Sequence, residues 1–402
     1  MLWGELEREG VAPPGAALSL LERAIAADPG KAALHVKLAH LHVDRFDFSA
    51  AAIAFETALR LDPDLPHLRI RLAACHNLLK QHGAVLELLA ADPLPRHDRG
   101  IALAELGRTA EAEAQFRAVL TVDPHNRQAC RMLCRLLRRD ARWRELLETC
   151  ESLAACGVAH SQLLYDWGTA LALAGDEQRA RAILLDPARV VRIPLPSPDG
   201  RENAAAFNAA LADDILANPH RVSDFATDEA ANRGSSRVHA LLEGRRPELM
   251  RSLAESLQAV VGALTLAPAG PFDPWVGARP PAARLQAWGL IQRGGEHEEW
   301  HLHRDGWLSG VYYLRVPEAV SAKGNGRGCI EFGPPGTLAR LRPDFIPVLR
   351  IEPVEGMLLL APSHYPHRTI PTGTDDHRIS LAFDVAPARA ARSAAERRGF
   401  RR

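Results

Sequence analysis

Five Asp-Pro pairs punctuate the first half of this 402-residue chain, at 28–29, 62–63, 92–93, 123–124 and 186–187. Their spacings are 34, 30, 31 and 63 residues, the last about two of the shorter steps. Proline cannot continue a helix and aspartate favours a turn, so each pair closes a helical segment. Between two of them, GIALAELGRTAEAEAQFRAVLTVDP (100–124) carries small residues at Ala102, Ala114 and Ala118, which let helices approach closely, and Leu106-Gly107 makes the turn. YDWGTALALAGDEQRARAILLDP (165–187) repeats this layout, and the stretch from Ala129 to Cys156 fits a degenerate unit without its own Asp-Pro. A unit of this length cannot bury its apolar face alone, so five or six of them must stack on one another.

A helix-turn-helix period near 34 marks tetratricopeptide arrays. The expected fold class is therefore an α+β multidomain protein: an N-terminal all-α tetratricopeptide-like solenoid over 1–187, then a second domain of different character. The solenoid offers a concave surface for a peptide or protein, or serves as a structural extension. From Ala188 the pattern changes. VVRIPLP (190–196) reads as an edge strand closed by its prolines, and Glu202–Ala217 and Pro247–Leu264 have helical periodicity. The polar stretch around Arg221–Val238 is a candidate substrate loop. Arg284 to Val385 reads as seven or eight short strands, the signature of a sandwich or jelly roll. The domain borders are set at 1–187, 188–388 and a basic, disordered tail over 389–402.

The second domain carries the chemistry. His301 and His303 stand two apart in WHLHRDGWLSGVYYLRVP, rich in aromatic and β-branched residues, where a strand would point both to one face. His367 follows 64 residues after His303, and Arg378 comes 11 residues later, in a block that reads as two strands around a Pro/Gly/Asp turn. Three convergent imidazoles make a facial site for iron, copper, nickel or zinc with open positions. Arginine adds a rigid fork that holds a carboxylate in two parallel hydrogen bonds. A metal beside a carboxylate clamp suggests an iron oxygenase that uses 2-oxoglutarate. Asp305 is the alternative ligand, because two histidines and one carboxylate also make an iron site; against it, Asp305-Gly306 is a turn dipeptide that would carry the carboxylate off the strand. His297, among glutamates, reads as a rim residue, and His364 as a neighbour of the site. Of Tyr312 and Tyr313, one must face inward; Tyr313 is assigned to the cosubstrate with Ser380, Tyr312 to the substrate pocket, and Trp307 to an apolar wall at its mouth.

At HLHRDGWLSGVYYLRVP, IEFG, PVEGMLLLAPSHYPHRTIP and RISLAFDV the chain resembles the proteobacterial 2-oxoglutarate/Fe(II) oxygenases that carry N-terminal tetratricopeptide repeats. The resemblance covers roughly residues 190–388 and is strongest from Leu285 to Val385. It implies a double-stranded β-helix (jelly roll) with flanking helices, Fe(II) held by His301, His303 and His367, and Arg378 on the far carboxylate of 2-oxoglutarate. The chain departs from the family pattern at Arg304 and Pro366, both at the pocket rim.

The expected function is an Fe(II)- and 2-oxoglutarate-dependent dioxygenase that consumes O2 and hydroxylates a C–H bond of a peptide, protein or carrier-bound substrate gripped by the repeats. One rival is a cupin-like three-His dioxygenase that uses no 2-oxoglutarate. The other is an interaction protein whose repeats act while the β-domain is idle. Lys+Arg and Asp+Glu balance at 49 each, so no global field favours nucleic acid or an acidic membrane. No apolar run is long enough to span a bilayer, and MLWGELEREG lacks the features of a signal peptide, so a cytoplasmic protein is expected. The six cysteines are scattered, mostly within helical patterns, as buried reduced thiols would be.

Overall fold

A computed structural model of the chain describes residues 16–195, 198, 204–223, 231–266, 272–321, 324, 326–334 and 336–388. The basic tail and the middle of the 221–238 stretch lie outside the described residues. Two compact units divide the chain between Arg142 and Trp143.

The first unit is helical: α1 Ala16–Ala27, α2 Ala32–Asp44, α3 Phe48–Leu61, α4 Pro66–Leu78, α5 His82–Leu88, α6 His97–Glu105, α7 Thr109–Val122 and α8 Arg127–Arg139. The Asp-Pro pairs do what the repeat pattern requires. Asp62 and Asp123 follow directly on α3 and α7, and their carboxylates accept from the backbone N–H of Asp64 and His125, each at 3.1 Å. Helix starts are capped where the sequence supplies a cap, as at Asp47 before α3 and Asn126 before α8. Phe55 is wholly buried among Ala39, Ala51, Ala58 and Leu68, large against small, as close helix packing demands. At Gly100 on α6 a Cβ would lie 2.5 Å from the Phe116 ring of α7, so no larger residue fits there.

The second unit opens with three further helices, α9 Trp143–Ala155, α10 Ser161–Ala174 and α11 Glu177–Leu184. The composition change at Ala188 thus falls inside this unit. Helix α10 is buried at every position from Ser161 to Ala172, including polar Gln162, Asp166 and Thr169. A helix buried all round is not an outer repeat but an interior one. At Gly168 a Cβ would meet Leu184 of α11 at 2.6 Å.

The rest of the unit is built on β-sheet. Strand β1 (Val191–Pro194) is followed by α12 (Ala204–Leu216), β2 (Arg221–Ser223), β3 (Asn232–Arg233), β4 (Ser236–Val238), α13 (Pro247–Ala263) and α14 (Pro274–Gly277). Then come β5 (Ala283–Gln292), β6 (His297–Glu298), β7 (Leu308–Arg315), α15 (Glu318–Ser321), β8 (Ile330–Phe332) and α16 (Gly336–Leu341). The chain finishes with β9 (Leu349–Ile351), β10 (Met357–Pro362), β11 (His367–Thr369) and β12 (Arg378–Pro387). Seven strands form one sheet in the order β1-β10-β7-β12-β5-β4-β2, with β11-β8-β9 and β3-β6 as smaller sheets. All pairings are antiparallel, and a cavity opens between the large sheet and strands of the small ones, the jelly-roll arrangement. β1 lies at the edge of the large sheet, as its prolines predict.

Strand β12 explains why RISLAFDV reads as one apolar run. Arg378, Ser380, Ala382 and Asp384 line the cavity, while Ile379, Leu381 and Phe383 are buried on the opposite face. Two expectations change here. The ends of the 221–238 stretch are strands β2 and β4, which extend the large sheet beyond β5. The block after Pro353 holds three strands, not two: β10 ends at Pro362, and β11 leaves to pair with β8 in another sheet.

Candidate metal centre

The three predicted histidines meet. One ring nitrogen from each of His301, His303 and His367 lies within 4.8 Å of the others, and Nε2 of His301 and Nε2 of His303 are 3.3 Å apart. His301 and His303 are not on a regular strand, as their spacing suggested. His301 forms an isolated antiparallel bridge with His367, each backbone N–H donating to the other's carbonyl at 2.9 Å, and His303 N–H donates to the Ser363 carbonyl at 3.0 Å. The backbone stays extended enough for both rings to turn inward, and His367 is the first residue of β11 rather than the end of a longer strand.

Each imidazole is oriented by its other nitrogen. Nδ1 of His301 lies 2.7 Å from the Glu299 carbonyl, Nδ1 of His367 lies 3.0 Å from the Tyr365 carbonyl, and Nδ1 of His303 lies 2.5 Å from Oδ1 of Asp384. An acceptor at Nδ1 fixes the tautomer with the proton there, which leaves Nε2 as a free lone pair. Burial, then the charge of His303, pushes His301 down to about 3; burial, then His301 and His303, holds His367 well below its ordinary value. Both rings are therefore neutral at pH 7, the state that binds metal. Asp305 is exposed and is not among the clustered groups, so the turn dipeptide does carry it away. His364 is buried beside the site but faces away from it, with Nε2 against the Ile183 carbonyl at 2.8 Å. His297 keeps to the rim, its ring against the Gly295 carbonyl and Glu299.

Arg378 opens β12 on the cavity wall and is 2% exposed. Its guanidinium donates to the Gly328 carbonyl and to Oε1 of Gln292, but pairs with no carboxylate among the described residues, and Nε is buried without a partner. Burial lowers its pKa, and the neighbouring Tyr313 and then Glu298 oppose that shift. A cation kept dry without a counter-ion is costly unless an anion enters. Ser380 and Tyr313 are cross-strand neighbours in the same wall. Burial pushes the Tyr313 phenol up to about 12, so it stays neutral.

Two predicted pocket residues lie elsewhere. Tyr312 points to the opposite face of β7, where its hydroxyl donates to Oδ1 of Asn208 on α12 at 2.9 Å. Trp307 stacks on Trp275 with centroids 5.1 Å apart, each indole N–H donating to the other's carbonyl. It braces α14 and does not line the metal cavity. Reading the sequence missed Arg237, Trp288, Glu298 and Asp384, all of which do. Arg237 on β4 pairs with buried Glu298 on β6 at 3.0 Å, and the Trp288 ring lies 5.6 Å from that of His303. The period-two alternation of β5 and β12 signalled Trp288 and Asp384; nothing local signalled Arg237 or Glu298.

The loops that carry the histidines are also held from α10 and α11. Ser161 Oγ donates to the Gly306 carbonyl at 2.6 Å, and Arg304 Nε donates to Oε1 of Gln162 at 3.1 Å. His364 meets the Ile183 carbonyl, and the Asp186 N–H donates to the Tyr365 hydroxyl at 2.9 Å. His364 and Tyr365 lie three and two residues before His367 in the chain, so these contacts set where β11 begins.

Three convergent imidazoles and a buried arginine share one β-walled cavity, a donor set that could hold a metal ion. Comparison with known families agrees. Residues 286–384 match the family described as "Putative 2OG-Fe(II) oxygenase", and residues 32–65 match the tetratricopeptide repeat. Similar solved structures include a prolyl hydroxylase from Trichoplax adhaerens in complex with a hypoxia inducible factor peptide fragment (14% identity, 54% of this chain, 92% of that chain, TM-score 0.36). The epimerase SnoN in complex with Fe3+, alpha ketoglutarate and nogalamycin RO is another (18% identity, 54% of this chain, 85% of that chain, TM-score 0.34). A third is YrrB, a tetratricopeptide protein with an unusual peptide-binding site (14% identity, 42% of this chain, 94% of that chain, TM-score 0.33). Among curated proteins none matches. No helix of the described residues is long and apolar enough to cross a membrane.

Proposed function

We propose that the protein is an Fe(II)- and 2-oxoglutarate-dependent dioxygenase that hydroxylates a C–H bond of a peptide, protein or carrier-bound substrate. One observation carries this reading: Arg378 lies buried, with no carboxylate partner among the described residues, in the cavity that the three histidines line. A divalent iron fits these residues, because imidazole nitrogens suit it as ligands and three of them converge in the cavity; His301, His303 and His367 would hold it. Bound there, iron with 2-oxoglutarate supplies the oxidising power for C–H cleavage.

The remaining work belongs to the chain. Arg378 holds the far carboxylate, with Ser380 and neutral Tyr313 as the hydrogen-bonding groups beside it. Gln292 and the Gly328 carbonyl hold the guanidinium in place before the anion arrives. Trp288, Val311, Leu359 and Ala382 form one transverse row across β5, β12, β7 and β10, an apolar floor that excludes water from the cavity. The tetratricopeptide repeats serve as the grip for a large substrate. Succinate release from 2-oxoglutarate tests the reading: it should require Fe(II) and O2 and vanish in His367→Ala. Release that survives in that variant would contradict it.

The all-imidazole donor set favours one second reading, a three-His dioxygenase that binds its own substrate's carboxylate at Arg378. Turnover without 2-oxoglutarate would select it.

A further inference from the structure

Asp384 stands on β12 six residues beyond Arg378, on the same cavity face. Its Oδ1 lies 2.5 Å from Nδ1 of His303 and 2.7 Å from Oγ of Ser309 on β7, and Ser309 in turn lies 2.7 Å from Oγ of Ser363. The carboxylate is packed in. At Gly306 a Cβ would come within 2.4 Å of Ser363 Oγ and 3.2 Å of the Asp384 carboxyl carbon, so the loop after His303 passes directly over this group. The other two imidazoles have only backbone carbonyls at Nδ1. The three donors are thus chemically unequal: one of them carries a carboxylate behind it.

Imidazole ligands bring no negative charge, so a set of three leaves the full double charge of a divalent cation uncompensated, unlike a set that includes a carboxylate ligand. We propose that Asp384 is a positioning residue that supplies the missing negative charge through His303. Its hydrogen bond pins the His303 proton on Nδ1 and aims Nε2 into the cavity, and its charge makes that imidazole the strongest of the three donors. Ser309 holds the carboxylate from the side, which keeps Oδ1 turned toward the ring instead of the cavity. The inference rests on the metal reading above and adds a division of labour among the ligands that the donor set alone does not contain.

Metal titration of the full chain under anaerobic conditions, with Fe(II) and with Co(II) as a spectroscopic probe, tests it without turnover. Asp384→Asn keeps the shape and an oxygen acceptor but removes the charge; affinity should fall about tenfold. Asp384→Ala removes orientation as well, and affinity should fall about a hundredfold, the range seen when a carboxylate behind a ligating histidine is lost. Ser309→Ala should give a smaller loss than either, and the Co(II) visible spectrum should shift in the Ala variant. Asn is isosteric, so it carries the test if the Ala variant does not fold. Wild-type affinity in folded Asp384→Asn, together with an unshifted Co(II) spectrum, would overturn the proposal. Failure of the wild-type chain to bind either metal would instead remove the metal reading itself.

Discussion

Removing residues 1–188 should disable the metal centre, even though composition places the domain border there. The cut takes away α10 and α11, and with them the partners of Gly306, Arg304, His364 and Tyr365, and the Ala172 carbonyl that accepts from Arg342 at 2.8 Å. The exposed groups would find water, so the net value of a hydrogen bond applies, about 1 kcal/mol each and about 5 kcal/mol for the five. That already equals the lower end of a domain's whole stability, about 5–15 kcal/mol. The apolar surface covered by α10 adds to the loss. A chain beginning at Trp143 keeps all five bonds. Thermal melts and anaerobic Fe(II) titrations of residues 143–402 and 189–402, beside the full chain, make the comparison. The longer piece should melt cooperatively and bind Fe(II) within a few-fold of the full chain, while the shorter should lose both properties. A soluble 189–402 that melts at the full-chain temperature and binds Fe(II) normally would refute this reasoning.

Arg378→Ala should raise the 2-oxoglutarate requirement about a hundredfold, since a lost hydrogen bond to a charged group costs about 1.5–3 kcal/mol, and should leave Fe(II) affinity nearly unchanged; binding titrations of each ligand separate the two effects. Alanine at His301, His303 or His367 should abolish tight Fe(II) binding, whereas Asp305→Ala should titrate like the wild type. If the Asp305 variant loses the metal and the His301 variant keeps it, the ligand set is misassigned. His364 carries a pH prediction. Burial holds it at about 4 in the fold, against about 6.5 in the unfolded chain, so only the unfolded chain takes up its proton as pH falls. Stability should drop from pH 6.5 toward pH 4 by about 3 kcal/mol on this account alone, and denaturant unfolding of His364→Gln should show a shallower pH slope. An identical slope in the variant would exclude His364 as the source.

Much of this was legible in the chain itself. The Asp-Pro period located the helix ends because proline stops a helix regardless of what packs on it. The His301, His303, His367 and Arg378 constellation needed only residue types whose chemistry has few other uses when they share one cavity. Long-range pairing was not legible. β11 leaves the register of β10 because Tyr365 and His364 are anchored to helices some 180 residues earlier, and no local pattern encodes that. Trp307 and Tyr312 looked like pocket residues because strand alternation gives two faces without saying which is the cavity. Their partners, Trp275 and Asn208, decide it, and both lie far away in sequence. Likewise α10 reads as one more repeat, yet its polar residues Ser161 and Gln162 are spent on the loop after His303.

The central claim, that this cavity assembles Fe(II) and 2-oxoglutarate together, is tested most directly by adding 2-oxoglutarate anaerobically to the Fe(II)-loaded full chain and recording the visible spectrum. A charge-transfer band should appear, saturate at one equivalent per chain, and require a much higher 2-oxoglutarate concentration in Arg378→Ala. A spectrum unchanged at saturating 2-oxoglutarate, in protein shown to hold Fe(II), would contradict the account.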